Sequence, residues 1–168
     1  MTLVTTLTGK LDFLYTASVG GTVANYKPSM TFSDTLATGV ALDTSDLLYV
    51  SAADALAGSA TDNVDVAGSL SDAFGTTLTY VKIKMLYIKN NSTTAGNTIT
   101  VGGHATAALL IFGTAAHTHT IGPNGFMLLW EPSLAGKAVT ATTGDLLKIL
   151  NDTANNVTYD IAIVGTSA

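Results

Sequence analysis

Apolar and polar residues alternate with a period of two along most of this chain, which predicts strands rather than helices. From Leu3 to Ser18 it reads as two extended pieces about Gly9-Lys10, with Leu11, Phe13 and Tyr15 on one face. Gly20-Gly21 breaks that pattern. Asn25 to Thr61 is less regular: Met30 with Phe32, and Leu47 to Val50, are the best strand candidates, and Ala52 to Leu56 is a candidate helical turn.

Asn63 to Val66 alternates and ends at Gly68, and Ser69 to Gly75 reads as a loop pinned by Phe74. Leu78 to Lys89 follows as one long strand. Its Val81, Ile83, Met85 and Tyr87 form an apolar side, and Tyr80, Lys82, Lys84, Leu86 and Ile88 a mixed one, the mark of a sheet with one face on a core. Short strands are expected at Thr98–Val101, Ala107–Phe112, His117–Ile121, Phe126–Trp130, Ala138–Thr142, Leu146–Leu150 and Val157–Val164, parted by turn signals such as Pro123-Asn124-Gly125. About ten short strands at this spacing indicate one all-β domain over residues 1–168, an antiparallel β-sandwich of jelly-roll type. Residues 1–25 form an extended segment that could lie along a neighbour as an added strand.

Composition strengthens the all-β reading. Charged residues are 11% of the chain, against roughly 25% in ordinary soluble domains. Polarity comes instead from 28 Thr and 11 Ser, and Thr sits readily on the solvated face of a sheet. There is one Glu, Glu131, and all seven basic residues are Lys, so the outer faces of amphipathic helices cannot be furnished. With a net charge of −5 and no Arg, the chain lacks the basic stripe that binds phosphate backbones, and no nucleic-acid partner is expected. The longest apolar runs fall far below the roughly 18 residues of a membrane span, and the N-terminus reads as carrying no targeting segment. No cysteine is present for a disulfide or a thiolate metal site.

Candidate chemistry is sparse. His117 and His119 stand at i and i+2, with His104 the third histidine, but no cysteine or close carboxylate completes a metal set. Asp34, Asp43, Asp46, Asp54, Asp62, Asp65 and Asp72 crowd one third of the chain without the spacing of a calcium loop, and Asp in loops commonly caps turns. No Gly-x-Ser-x-Gly or paired-carboxylate arrangement is visible, so no catalytic, cofactor-binding or metal residue is assigned and enzyme activity is not expected. Three matches to the N-glycosylation acceptor, at Asn91, Asn151 and Asn156, carry no assigned function in so Thr-rich a chain. Trp130, Phe126, Tyr80 and Tyr87 are candidates for a carbohydrate platform or an assembly surface, with core burial the first assumption for at least half.

Several segments from Asp65 onward, among them Val66–Gly75, Leu86–Asn90, Thr98–Gly103, Ile121–Phe126, Gly144–Ile149 and Tyr159–Ala168, resemble small virion structural proteins of tailed bacteriophages. The resemblance covers about 100 residues. It implies a capsid decoration or cement protein, without catalytic residues, that forms a homo-oligomer, a trimer in such roles. It also implies the virion capsid surface as its place and the major capsid protein lattice as its partner. The alternative is a fibre, tail or surface adhesin module whose loops, such as His104 to His119 or Phe74 to Thr77, bind a host glycan or receptor.

Overall fold

The computed structural model describes residues 2–19 and 21–168. Those residues contain strands and turns and no helix. The chain opens with β1 (Thr5–Asp12), β2 (Tyr15–Val19), β3 (Thr22–Tyr26) and β4 (Ser29–Thr38), which fold into one antiparallel ribbon. Thr5 faces Leu36, Tyr15 faces Tyr26 and Val19 faces Thr22, and between the two ladders the Phe13 amide donates to the Pro28 carbonyl at 3.0 Å. The register therefore runs from root to tip without a slip. Fifteen residues per side make an arm about 50 Å long. Gly21, with φ of +81°, lies in its tip, as the Gly-Gly pair implies; Gly20 lies outside the described residues.

Strands β5 (Thr44–Ser45) and β6 (Leu47–Leu56) lead into the body, followed by β7 (Thr61–Asp65), β8 (Ala67–Ser71), β9 (Thr77–Thr79), β10 (Lys82–Asn90), β11 (Ile99–Gly102), β12 (Thr118–Ile121), β13 (Phe126–Trp130), β14 (Lys137–Ala138), β15 (Leu146–Asn151) and β16 (Val157–Thr166). One sheet has the order β13-β10-β16-β6, with β14 also on β10; the other has the order β12-β11-β15-β7. Both are antiparallel. Leu86, Ile161 and Ile163 of the first sheet and Ile99, Val101 and Ile149 of the second, all at most 1% exposed, belong to a single core, the arrangement of a sandwich. Leu36 and Val164, both fully buried, lie outside that core.

Several expectations from the sequence are corrected. Among the described residues there are sixteen strands where about ten were expected, because the arm and short ladders such as β8-β9 add to the body. β1 passes straight through Gly9-Lys10, and the break between β1 and β2 falls at Phe13-Leu14. Ala52 to Leu56 is not a helical turn but the end of β6. Its bulge places Ala53 at φ of +57°, held by a 2.8 Å bond from the Ala53 amide to Asp160.

The long strand from Leu78 is cut in two, and a register shift at Lys84 in β10 turns its later side chains over. Ile83 faces the core before the bulge and Leu86 and Ile88 face it after, while Met85 and Tyr87 point to the outer side. Ala107–Phe112 is not a strand: apart from a single bridge at Ala108 it is a buried loop, tied to β15 by bonds between Leu109 and Leu146 and between Leu146 and Ala107. Phe74 pins nothing, being 79% exposed; its turn is held by Asp72, which accepts from the Phe74 and Thr76 amides at 2.8 Å.

Candidate assembly surface

Unbroken register gives the arm two faces of opposite character. Cross-strand partners share a face, so Leu7, Leu11, Tyr15, Tyr26, Met30 and Phe32 stand together on one side. Phe32 lays its ring over Gly9, where an added Cβ would come within 2.0 Å of it. On the other side are Thr6, Thr8, Lys10 and Asp12 opposite Thr35, Ser33, Thr31 and Ser29. Thr6 meets Thr35 at 3.2 Å, Thr16 donates to Asn25 at 2.8 Å, and Lys10 pairs with Asp12 at 2.9 Å. The apolar side has no comparable partner along most of its length: Leu11 is 52%, Met30 62%, Tyr15 68% and Tyr26 67% exposed. Among the described residues nothing before Leu36 is buried. A two-stranded ribbon has no second layer of its own to cover such a face.

The body is also two-faced. Through the register of the first sheet, Trp130, Met85, Val164 and Leu48 form one row across its outer face, and Leu128, Tyr87, Ala162 and Val50 the next. Phe126, 62% exposed, adds to the second row by packing its ring 5.9 Å from that of Tyr87. At the β6 edge Leu48 and Val50 continue into a groove of about 390 Å³, also lined by Phe74 and Leu3. The outer face of the second sheet is instead largely polar, with Thr120, Thr100, Leu150 and Thr61 in one row and Lys148 beside Asn63. A solvated sheet face is ordinarily polar, as the second is; the first departs from that rule over two rows.

The arm is rooted on this apolar face. Trp130 donates from Nε1 to Asp34 Oδ2 at 2.7 Å, and Asp34 stands on the arm's apolar side in line with buried Leu36. Asp43 donates from its amide to the Pro132 carbonyl, which fixes the chain where it leaves the arm. Lys84, fully buried at the bulge, donates from Nζ to the Ser133 carbonyl. Burial holds its ammonium below the usual lysine range.

His117 and His119 lie against Phe112, and His104 bonds within its own turn. His117 donates from Nδ1 to the Phe112 carbonyl at 3.0 Å, and the His119 ring lies 6.3 Å from the Phe112 ring. His104 Nδ1 accepts from the Ala107 amide at 3.0 Å. Among the described residues no three His, Cys, Asp or Glu side chains come together as metal ligands would.

Of the crowded aspartates, Asp65 and Asp72 serve their own turns, while Asp34, Asp46 and Asp62 tie segments distant in sequence. Asp65 accepts from the Ala67 amide and from Ser69, Asp46 accepts from the Ser167 amide and hydroxyl, and Asp62 accepts from the Tyr159 phenol. Burial raises the phenols of Tyr80 and Tyr159, the latter helped by Asp62. Of the aromatic candidates, Tyr80 is core, bonded to the Ile163 carbonyl, while Trp130, Tyr87 and Phe126 are on the outer face. Of the glycosylation matches, Asn151 is fully buried with its amide nitrogen engaged, and Asn91 donates to Asp160.

No protein-family model and no curated protein matches the chain. Function is therefore read from these surfaces. Two signals could have found them earlier. The first is Gly20-Gly21 between alternating runs, a hairpin signature. The second is the apolar content of both sides of Lys82–Asn90, which implies a covered outer face.

Proposed function

We propose that this chain is a non-enzymatic structural protein that works by assembly, in the form its virion resemblance implies: a decoration or cement protein bound to a capsid lattice. The observation that carries the proposal is the amphipathic arm, whose apolar side is left uncovered by its own body. A jelly-roll body is part of the proposal. Its support is strand order: with the eight main body strands numbered along the chain, the sheets read 6-3-8-1 and 5-4-7-2, so each strand is answered across the sandwich as in two wrapped Greek keys. Low charge and abundant Thr suit broad, weakly polar contacts, which a lattice multiplies through avidity.

Cryo-electron microscopy of intact particles carrying the chain tests this reading. Density repeated over the shell at local symmetry axes, together with shells that come apart at lower temperature when the protein is stripped, is the expected result. A few copies confined to fibres or tail, or stripped shells of unchanged stability, would reject it.

A further inference from the structure

We infer that the uncovered side of the arm docks on the outer face of the β13-β10-β16-β6 sheet of a second copy of this chain. The inference rests on the proposal that the chain works by assembly, and it names the partner of the arm. The chain carries both halves of the contact: an apolar ribbon without a layer beneath it, and an apolar sheet face whose first row is covered at the arm's root, where Val164 is fully buried, but whose second row, Leu128, Tyr87, Ala162 and Val50 with Phe126, stays open to solvent in part.

The two surfaces already meet at the root. There the apolar side of the arm, through Asp34, bonds to Trp130 of the outer face. Further out the ribbon leaves its own body, as the exposure of Met30 and Tyr26 records, so the same pairing can be completed only by another molecule. Over β1 and β4 the polar side is threonine, serine and one local ion pair; nearer the tip it carries the separate Leu14 and Val23, both 65% exposed, against the continuous apolar series on the docking side. Nor does like charge oppose the approach, since Lys89 and Asp160 lie side by side on the receiving face.

The area is adequate. The free part of the arm, from Gly9 outward, is about 35 Å long and about 10 Å wide, so one docked arm removes about 700 Å² from the two surfaces together. A copy that gives one arm and receives another takes part in about 1,400 Å² of contact, within the range of stable specific interfaces. One arm contact alone would fall near the crystal-packing range, so the arrangement must close on itself, each arm being answered by another.

The test uses the full chain. Light scattering should find an oligomer at micromolar concentration. Met30→Lys, on the apolar side, should weaken self-association about tenfold or more. Thr31→Lys, one residue along on the polar side, should leave it unchanged, and since both positions are exposed the folded body reports on neither. The absence of cysteine allows a direct probe: Met30→Cys copies mixed with Val50→Cys copies should be joined by a short bismaleimide into a mixed dimer.

A monomeric parent chain, equal effects of the two lysines, or bridging that occurs only within a single chain carrying both cysteines would each overturn the inference. Monomers that still decorate shells would overturn arm exchange and leave the assembly proposal standing. A crosslinked oligomer that ignores shells would do the reverse.

Discussion

Asn151 closes β15, and its replacement by leucine isolates the contribution of one buried amide. The side chain is fully buried. Its Nδ2 donates to the carbonyls of Leu56, Ala57 and Asn155 at 3.2, 2.9 and 2.8 Å, and its Oδ1 accepts from the Thr153 amide and hydroxyl at 3.0 and 2.8 Å. Leucine fills nearly the same space and favours no other backbone, so packing and strand geometry change little. What changes is pairing. The buried Leu56 carbonyl loses this amide at a cost of about 1–3 kcal/mol, and the partly buried Thr153 amide loses its partner at about 1 kcal/mol, whereas the Ala57 carbonyl keeps the Ala60 amide and the Asn155 carbonyl keeps the Thr153 hydroxyl. The expected loss is about 2–4 kcal/mol, a large share of the total stability of such a domain, and a melting temperature lower by about 6–12 °C. Urea unfolding followed by the single tryptophan, Trp130, measures it, with Asn63→Leu on the solvated outer face of the second sheet as the control that should stay within about 0.5 kcal/mol. An Asn151→Leu chain within about 1 kcal/mol of the parent would refute the assignment of this amide as the clasp of the Asp152–Asn155 loop.

Two further perturbations follow from the same physics. Gly165→Ala places a Cβ 2.1 Å from the Lys82 carbonyl and 2.8 Å from the Tyr80 ring, so β10 and β16 must part; it should cost about 3 kcal/mol in thermal melts, whereas Gly122→Ala, facing open space, should stay within about 0.5 kcal/mol. Asp160 is held below the ordinary carboxylate range, first by the Ala53 amide and then by the Asn91 side chain, so between its folded and unfolded values the unfolded chain binds more protons and stability falls as pH falls. Asp160→Asn should therefore be less stable than the parent at neutral pH, with the gap closing below pH 3.8; a gap that stays constant in denaturation curves across that range would refute the assignment.

The strands most legible in the sequence are those whose alternation is one-sided. Val157, Tyr159, Ile161 and Ile163 of β16 face the core as their period demands, because Thr158, Asp160 and Ala162 leave no doubt about phase. In β10 the phase read from alternation holds only as far as Ile83. Both sides of the strand carry apolar residues, and the bulge that decides between them goes with Lys84 finding the Ser133 carbonyl 49 residues away. The bulge at Ala53 is likewise set by a carboxylate 107 residues further on, while the local Ala-rich sequence suits a helical turn.

For the arm, the shared face of Leu11, Phe13 and Tyr15 was visible, and so was a strand at Met30 and Phe32, but their pairing as one ribbon was not, since Lys27-Pro28 and scattered serines obscured Tyr26, Met30 and Phe32 as one series. The outer sheet face was hidden because register, not composition, gathers its residues from four strands.

The ribbon also has margins. A body sheet has two edge strands shared among four or five, but beyond the root, where Ala37 and Thr38 of β4 pair with β5, both strands of the ribbon are edges, each with outward backbone donors and acceptors. Here the usual guards are thin: Lys10, Lys27 and Pro28 are the main ones over some thirty residues. Orderly docking through the face and disorderly strand pairing through the margin thus draw on the same segment, and which one prevails is a matter of timing. Under the proposed docking, chains made alongside their partners should be captured face-on, whereas chains stored concentrated and alone should associate edge to edge, with fibrous precipitate as the visible outcome.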